Sequence, residues 1–595
     1  MIALKSFIKK YFSSFAYFYS ILRSRMLVVI GLSIVVGLLD SLGLTMFLPL
    51  LQLADGGDAV DLGNLSFITT ALNDMGVKLT IGKALAFLVI IFLVKGVVVY
   101  KASVYKILTA QHLNKQVRMS IVNFFPIFQY NQFVKTDIGK IQNIFLGEIM
   151  RLTITYNNYV AMVQGIVMIM VYMLFSFVVD WKFALLVCLG GAFSNLIFNK
   201  INKLTKEKSK NISEVGNAFS NILIQYVNNF KYLKATGKVI DYKNKVEKSI
   251  DDVQYENLQM GILNSKVTSF REPLLICIVV FVIFAQITFF EARIAAIMIS
   301  LLFFYRALTS VVVVQNNFNS ALANQGAIDN ITSFHTELKN HSEIIGNRVF
   351  DRLNQSIEIR DAVFKYGDVK ILNKINIILP KNNTIAFVGE SGSGKTTLVN
   401  IIIKLLNLNS GAILVDGINI TEYNQFTYQN RIGYISQEAT IFNDTIFNNV
   451  TFWAEPTTAN KERFKKAISM ASITDFVEGL ELKETTLLGN NGVNLSGGQR
   501  QRISIARELY KEVDILILDE ATSALDSETE NEIQQNIDAL KGKYTVIVIA
   551  HRLATIKNAD TIYLMDKGTI TGSGNFIELT ERSERFRRMV ELQEI

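Results

Sequence analysis

A glycine-rich stretch, "GESGSGKT" from Gly389 to Thr396, combines the residue types that bind phosphate. It lies between the apolar runs "TIAFV" and "TLVNIIIKLL", which predict a strand and a helix. Glycines let backbone N–H groups turn toward phosphate, Lys395 reaches the β- and γ-phosphates, and the Thr396 hydroxyl binds magnesium. A flexible glycine turn is the alternative, which the strand and helix in register disfavour. The predicted nucleotide-binding residues here are Gly389, Ser391, Gly392, Ser393, Gly394, Lys395, Thr396 and Thr397.

Two adjacent carboxylates, Asp519 and Glu520, end the aliphatic run "ILILDE". A buried strand would hold both at the carboxyl edge of a parallel sheet, where ligands bind. Asp519 would then orient magnesium, and Glu520 would polarise the attacking water or accept its proton. Taken alone, adjacent acids at a strand end are equally consistent with a helix N-cap.

The stretch "LSGGQ" supplies a second anion-binding element through Ser496, Gly497, Gly498 and Gln499. It opens a predicted helix, "QRQRISIARELY", and helix N-termini attract anions. The same domain already has a loop for its own phosphates, so this second site indicates a partner. If two copies face head to tail, Ser496 and Gly498 of one copy close over the γ-phosphate held by the other, in two sites related by C2 symmetry.

The composition indicates a membrane protein. Hydrophobic residues make up 50% of the 595 positions and charged residues 19%, and the mean hydropathy is +0.29. The net charge of +8 comes without a basic motif interleaved with aromatics, so we predict no nucleic-acid partner. Cys188 and Cys277 lie in separate apolar runs, which excludes a disulfide framework and metal-ligand spacing.

The apolar runs predict an α-helical transmembrane bundle, because crossing a bilayer takes about 20 mainly apolar residues. Lys and Arg are dense in 101–151 and 200–272, which places both termini in the cytoplasm. The two long inner stretches have breaks at "FVKTDIGK" and "NNFKYLKATGK", where short transverse helices would contact a cytoplasmic domain. The six predicted spans lie near 26–50, 84–100, 160–179, 182–199, 273–290 and 293–314.

The domain organisation follows from these runs. A basic, aromatic segment at 1–25 predicts an interfacial elbow helix, and 26–331 contains the six helices with their cytoplasmic extensions. The polar stretch 332–356 is interpreted as a linker. From 357 to 595 strand-length apolar runs alternate with helical patterns, which predicts an α/β phosphate-loop domain.

Together these motifs, in this order, resemble those of the ATP-binding cassette (ABC) transporters. The resemblance assigns "LSGGQ" as the family signature and "ILILDE" as the strand that carries the magnesium ligand and the catalytic base. It assigns Tyr366 in "VFKYGD" to adenine stacking, and Gln437 in "IGYISQE" to sensing magnesium, water and the membrane domain. It assigns Asp526 in "SALD" to a dimer contact and His551 in "IAHR" to the γ-phosphate switch.

One stretch departs from the family pattern. In "TTLLGNNGVN", Leu487 stands where exporters usually carry an acid, and Asn490 and Asn491 stand in place of a charged pair. The departure leaves the nucleotide motifs intact. It puts in doubt the usual polar contact between this stretch and the membrane elbows.

The resemblance also implies how the protein works. One membrane domain precedes one ABC ATPase domain, so the chain is similar to a half-transporter that acts as a homodimer, with ATP and Mg²⁺ at two sites. The Lys-, Asn- and Ile-rich composition with 5 prolines is typical of a bacterium with an AT-rich genome. We therefore expect a multi-pass protein of the inner or only cell membrane of a bacterium, with its nucleotide domain in the cytoplasm.

The cargo is the least specific inference. The stretches "GLLDSLGLTMFLPLL", "NNFKYLK" and "FYRAL" look most like flippases of lipid-linked oligosaccharides, which implies an amphiphilic or lipid-linked substrate. A multidrug or peptide exporter of the same architecture is the alternative. A soluble ABC-type ATPase would carry coiled-coil heptads in place of the spans.

Three ionisable residues fall inside predicted spans: Asp40, Lys95 and Arg306. Such residues are costly in a bilayer and are therefore functional candidates. A cation facing an inner cavity would suit a lipid pyrophosphate. The alternative is an intramembrane ion pair of Asp40 with Lys95 or Arg306 that holds the bundle together.

Overall fold

The computed structural model describes residues 15–46, 80–179, 181–290, 294–519, 542–549 and 556–593, together with Gln535. The chain divides into two compact units. The first contains Met1–Phe128 and Val134–His341, and the second contains Gln129–Phe133 and Ser342–Ile595. The short segment Gln129–Phe133, next to the first predicted elbow, thus groups with the nucleotide domain.

The described residues before Ser342, where the second unit continues, are mainly helical. In chain order they are α1 (15–22), α2 (Ser24–Thr45), α3 (Ile81–Phe124), α4 (Tyr130–Phe133, in the second unit), α5 (Ile138–Asn143), α6 (Ile149–Val179), α7 (Trp181–Asn228), α8 (Phe230–Ala235), α9 (Val239–Phe290), α10 (Ile294–Ala323) and α11 (Gln325–Asn340).

Long apolar helices occupy the regions predicted to cross the membrane. Among the described residues, three helical stretches are long and apolar enough to span a bilayer: Ser24–Thr45, Ile81–Ile127 and Ile138–Phe177. The later predicted spans fall within α7, α9 and α10, except for residue 293, which lies outside the described residues. The count of six spans stays a prediction, and residues 47–50 of the first predicted span lie outside the described residues.

Breaks between helices occur where polar residues interrupt the helical pattern of apolar residues. The elbow predicted at 1–25 is described from residue 15, and α1 ends at a turn at Arg23 with φ of 47°. A π-helix, Ile144–Glu148, separates α5 from α6. The helix α8 lies inside the predicted break "NNFKYLKATGK".

The helix α11 covers the beginning of the segment interpreted as a linker, 332–356. Its Ile328, Ile331, Phe334 and Leu338 are buried and recur at helical spacing, which the polar composition of the segment conceals. They pack in one cluster with Phe18 of α1 and with side chains of α3 and α6. The irregular part of the segment therefore starts only after this helix.

The second unit contains two sheets. Its strands are β1 (Ser356–Tyr366), β2 (Val369–Pro380), β3 (Thr384–Val388), β4 (Ser410–Val415), β5 (Ile418–Asn419), β6 (Ile432–Ile435), β7 (Ile515–Asp519), β8 (Thr545–Ile549), β9 (Thr561–Asp566) and β10 (Thr569–Gly574). One sheet has the order β2-β1-β4-β5 and the other the order β10-β9-β3-β8-β7-β6.

The described helices of this unit after α4 are α12 (Lys395–Ile402), α13 (Gln425–Gln429), α14 (Ile446–Thr451), α15 (Thr458–Met470), α16 (Thr474–Glu478), α17 (Gly497–Tyr510), α18 (Phe576–Arg582) and α19 (Glu584–Gln593).

The larger sheet is buried on both faces. In β3, Ile385 and Phe387 pack into one core cluster, and Ala386 and Val388 pack into another, because successive side chains of a strand point to opposite faces. Strands β3, β8, β7 and β6 are parallel neighbours, and β9 is parallel to β3. The predicted fold class, a helical membrane region followed by an α/β phosphate-loop domain, is confirmed.

Candidate functional site

The carboxyl ends of the parallel strands bring the predicted motifs to one edge of the sheet. The strand β3 leads into Gly389, β7 ends at Asp519, and β6 is followed closely by Gln437. Asp519 pairs in register with Ile549 of β8, and Leu518 pairs with Ile435 of β6. Ligands bind at this edge in open parallel sheets.

Glycines shape the phosphate loop between β3 and α12. Gly392 and Gly394 have φ of 80° and 102°, in the left-handed region that side chains disfavour. A Cβ at Gly389 would lie 2.2 Å from the carbonyl oxygen of Met565, so only glycine fits there. The backbone therefore requires glycine at the positions where the motif has it.

The polar side chains of the loop suit phosphate. Lys395, the first residue of α12, donates from Nζ to the carbonyl oxygens of Gly389 at 2.7 Å and Glu390 at 3.0 Å, which holds its ammonium group at the loop. The Ser393 hydroxyl is buried and has no hydrogen-bond partner among the described residues. A buried orphan hydroxyl beside a lysine fits an anionic ligand.

A distant helix stabilises this loop. Arg585 of α19 donates to Glu390 at 2.8 Å and pairs with Asp566 at 2.9 Å. These partners raise the pKa of Arg585, and the same contact holds the pKa of Asp566 below its usual value. No motif singled out Arg585, because the contact joins positions far apart in the chain.

Asp519 has a neighbour that sequence reasoning missed. Tyr434 of β6 donates from its hydroxyl to Asp519 Oδ2 at 2.8 Å. Burial and this hydrogen bond raise the pKa of Tyr434, so the phenol stays protonated and orients the carboxylate. The sequence gives one indication of this role: Tyr434 lies in "IGYISQE", two positions before the polar loop begins at Ser436.

The loop after β6 is exposed at Gln437. Ser436 donates to the carbonyl oxygen of Glu438 at 2.7 Å, and Gln501 of α17 donates to the carbonyl oxygen of Ser436 at 3.4 Å. The signature helix thus contacts the loop that carries Gln437.

The signature stretch begins α17 with a capping box. The backbone N–H of Gln499 donates to Ser496 Oγ at 3.2 Å, and the backbone N–H of Ser496 donates to Gln499 Oε1 at 2.8 Å. Ser496 is exposed, whereas Gly497 and Gly498 are half-buried in the first turn. The first N–H groups of a helix have no intrahelical acceptor, so this turn can bind an anion.

The remaining predicted residues are described in part. Tyr366, at the end of β1, is 42% exposed, and its ring lies 4.8 Å from the ring of Phe364, edge to face. An exposed aromatic ring there is available for stacking. Thr396 is exposed and Thr397 half-buried in the first turn of α12, whereas Glu520, Asp526 and His551 lie outside the described residues.

Comparison with known proteins agrees with these motifs. A family model described as ABC transporter matches residues 372–523. An ATP-dependent lipid A-core flippase of Francisella tularensis subsp. holarctica is 32% identical over 77% of this chain and 76% of its own length. The chain belongs to the ABC transporter family. The flippase of the same description from Desulfotalea psychrophila is 30% identical to this transporter, over 85% of the chain and 89% of the flippase.

A solved structure has the same fold as the transporter. It is described as a bacterial Atm1-family ABC exporter with ATP bound, and it matches with a TM-score of 0.80 at 20% identity, over 97% of this chain and 99% of that chain. The transporter fuses a multi-pass membrane domain to a cytoplasmic ATPase domain, and it couples ATP hydrolysis to export. The predicted family, enzyme class and membrane location are therefore confirmed.

Another basic residue of the transporter organises its signature helix. Arg507 of α17 donates to the carbonyl oxygens of Asn449 at 2.6 Å and Thr440 at 2.7 Å, and to Asn449 Oδ1 at 2.9 Å. Its guanidinium lies 5.2 Å from the ring centre of Phe442. Burial lowers the pKa of Arg507 from its usual value. This residue fixes the segment that follows Gln437 against α17.

The stretch that departs from the family pattern is exposed. Leu487 is 64% exposed and forms a single antiparallel bridge with Thr445. Gly489 and Asn491 have positive φ of 70° and 51°, and residues 490–492 form a short 3₁₀ turn. The transporter thus presents an apolar side chain and a neutral turn where an acid and a charged pair are usual.

Two of the three predicted intramembrane charges lie together. Lys95 of α3 donates from Nζ to Asp40 Oδ1 on α2, and the hydroxyl of Tyr172 on α6 donates to Asp40 Oδ2. Asp40 is 2% exposed, so both partners offset the cost of burying its charge. This is the ion pair that the sequence left as the alternative to a substrate contact.

Arg306 of α10 is exposed, unlike Asp40. Its neighbour Ala307 packs in one small cluster with Tyr172 and Leu44, and Arg306 is close enough to Tyr172 to interact electrostatically. No carboxylate within the described ranges forms an ion pair with Arg306.

Proposed function

We propose that two copies of this chain form a homodimer that flips or exports an amphiphilic substrate, a lipid or a lipid-linked oligosaccharide or polysaccharide precursor, across the bacterial cell membrane. Relatives described as lipid flippases match over as much as 85% of the chain. The nucleotide unit is less than half of the chain, so this similarity extends through the membrane half that would meet the cargo.

The substrate class is inferred from which intramembrane charges are paired with each other and which one is not. Asp40 and Lys95 pair with each other, so neither charge is available to a ligand. Arg306 has no such partner among the described residues and is exposed on the same helical unit. An unpaired guanidinium in a membrane span is costly unless an anion pairs with it. A phosphate or pyrophosphate head group would bind it with bidentate hydrogen bonds.

The first prediction tests Arg306. We expect Arg306→Ala to lose most of the stimulation of ATP hydrolysis by a lipid pyrophosphate-linked oligosaccharide, with unstimulated hydrolysis unchanged. Arg306→Lys, the matched control, should retain part of it, because an ammonium keeps the charge but loses the bidentate geometry. The measurement is phosphate release by the purified protein in nanodiscs, with drugs and peptides as alternative stimulants.

Undiminished stimulation and transport in Arg306→Ala, at normal expression, would exclude this residue from the substrate site. Stimulation by drugs or peptides instead of the lipid-linked substrate would contradict the proposed cargo.

At the nucleotide site, each residue has a proposed role. Lys395 and the loop amides hold the phosphates of ATP, and Tyr366 stacks on the adenine. Thr396, Gln437 and Asp519 would hold Mg²⁺, which when bound neutralises charge on the phosphates. Glu520 polarises the attacking water, His551 contacts the γ-phosphate, and Asp526 contacts the partner.

ATP drives the cycle through the dimer interface. Ser496, Gly497, Gly498 and Gln499 of one copy close over the nucleotide held by the other, so each γ-phosphate is fully coordinated only in the closed dimer. This differential affinity favours the closed state when ATP is bound, and hydrolysis removes it.

A further inference from the structure

A cavity with both polar and apolar lining lies in the membrane unit, away from the intramembrane ion pair. Its volume is about 530 Å³, and α1, α3 and α11 provide its walls. The lining includes Arg23 at the end of α1, His112, Gln116 and Ser120 on α3, and Thr332 and His335 on α11. On α3 the three residues recur every fourth position, so they share one face of the helix.

The charge around this cavity is positive. Arg25 and Lys115 lie close enough to His112 to repel a charged imidazole. The sequence has no Asp or Glu before Asp40 and none from 81 to 136, so α1 and α3 bring no acid to the cavity. Arg23, Arg25 and Lys115 form no ion pair within the part of the chain that the structure describes.

The third wall of the cavity, formed by α11, contributes few acidic side chains. The acids of α11 are Asp329 and Glu337, and Glu337 already pairs with Lys140 at 2.7 Å. Asp329 is exposed one turn before Thr332, on the same side of α11, so it is a single acid against Arg23, Arg25 and Lys115. The basic groups therefore outnumber the acids, and an anion would be attracted.

The cavity lies at the start of the first predicted span, 26–50, and on the cytoplasmic extension that follows the second, 84–100. Arg23 and Asp40 are 17 positions apart, and so are Lys95 and His112. At about 1.5 Å per residue, the cavity lies roughly 25 Å from the ion pair along both helices. Arg23 also lies near the end of the basic segment 1–25, directly before the apolar α2 begins at Ser24.

Apolar side chains flank the cavity on the side of the ion pair. Leu27 is 54% exposed and lies four positions after Arg23, and Leu108 is 59% exposed and lies four positions before His112. Apolar surface thus adjoins the basic cavity on both helices, and Lys101 and Lys106 lie further along α3 toward the ion pair. This adjacency matches a phospholipid, whose acyl chains adjoin its phosphate.

We propose that this cavity binds the phosphate-bearing headgroup of an anionic phospholipid, with the acyl chains lying against Leu27 and Leu108. Arg23 and His112 donate to the phosphate oxygens, and Ser120 and Thr332 offer hydroxyl groups to the headgroup. The site is separate from the transported substrate and from the nucleotide. A lipid bound there would contact both α1 and α11, the first and last described helices of the membrane unit.

The test is thermal unfolding of the full chain, purified in neutral detergent, with added short-chain phosphatidylglycerol, short-chain phosphatidylcholine or inorganic phosphate. We expect phosphatidylglycerol alone to raise Tm. The double variant Arg23→Gln/His112→Gln should need at least about fivefold more phosphatidylglycerol for the same shift, as expected for losing one basic contact at an anionic membrane surface. The matched control is Arg118→Gln, an exposed cation of α3 outside the cavity, which should respond like the parent.

A second cavity variant keeps the test informative if the double variant Arg23→Gln/His112→Gln misfolds. Thr332→Glu places a carboxylate in the cavity from an exposed position of α11 and should also weaken the response, while basal ATP hydrolysis stays unchanged. Equal stabilisation by phosphatidylcholine would overturn headgroup recognition. An equal shift with inorganic phosphate alone would overturn the lipid as ligand, and unchanged responses in both cavity variants would overturn the location.

Discussion

Ser496 caps the helix α17, and it also has a proposed role in contacting the γ-phosphate. Its Oγ accepts the backbone N–H of Gln499, which satisfies one unpaired donor at the start of α17. A hydroxyl that accepts a hydrogen bond still has its own proton to donate. In the proposed homodimer, the same side chain can therefore cap its helix and donate to the γ-phosphate held by the other copy.

The second prediction separates the two roles of Ser496. Ser496→Ala should cost about 1 kcal/mol of helix stability through the lost cap and should also slow ATP hydrolysis. Ser496→Asp preserves a good N-cap but places a carboxylate against the γ-phosphate, so Tm should be retained while hydrolysis is abolished. The measurements are thermal unfolding and phosphate release. Hydrolysis near the parent rate in Ser496→Asp would show that Ser496 only caps the helix.

At the scale of elements, the membrane unit has a polar junction where α10 passes into α11. Arg151 of α6 donates to Asn324 Oδ1 at 3.4 Å and to Ser213 Oγ at 2.8 Å, which holds the break between α10 and α11. Its charge partner is Glu148, 1% exposed in the π-helix, at 3.1 Å, and Glu148 also accepts from Asn330 of α11 at 3.3 Å. Two local irregularities, a π-helix and a helix break, are thus stabilised by one ion pair.

The third prediction concerns this pair. Glu148→Gln leaves the Arg151 guanidinium largely buried without its charge partner, which should cost about 3 kcal/mol or more. Adding Arg151→Met should recover part of the loss, because the unpaired charge is then gone. The measurements are thermal unfolding and amide hydrogen exchange in α11. A single variant as stable as the parent, with unchanged exchange in α11, would contradict a stabilising role for the pair.

At the scale of the whole molecule, each chain holds the phosphate loop and the signature at different places. The loop follows β3, whereas the signature opens α17. In the proposed homodimer, one complete site takes Lys395 from one copy and Ser496 from the other. Defects in these two residues should therefore complement each other across copies.

The fourth prediction uses mixed dimers of Lys395→Ala and Ser496→Asp chains. Each variant alone has two defective sites and should be inactive. A mixed dimer carries both defects in one composite site and leaves the other intact, so hydrolysis should reappear. The measurement is phosphate release after tandem affinity purification of doubly tagged dimers. No recovery in the isolated mixed dimer would indicate that both residues must be intact in every subunit, or that each site takes both residues from the same copy.

Much of the nucleotide unit was predictable because its determinants are local. The apolar run "TIAFV" is strand β3, and Lys395 begins α12 as the motif requires. The strand "ILILD" ends at Asp519 beside parallel neighbours. Strand-length apolar runs and glycines with positive φ act within a few residues, so the sequence shows them directly.

The contacts that complete the sites were not predictable in this way. The hydrogen bond of Tyr434 to Asp519 and the bond of Arg585 to the phosphate loop join distant positions. The helix α11 was not apparent from its polar composition, because only four large apolar side chains, all buried, attach it to the rest of the unit.

The sequence by itself determined the family, the order of the domains and the types of residue available for ATP chemistry, since these depend on local patterns of apolarity, glycine and charge. Only the tertiary structure decided which charges neutralise each other. Asp40 pairs with Lys95 while Arg306 stays exposed, and Arg23 and His112, which lie far apart in the sequence, line one cavity. The physical reason is that electrostatic pairing depends on distance and burial, which follow from the packing of helices and cannot be read from spacing along the chain.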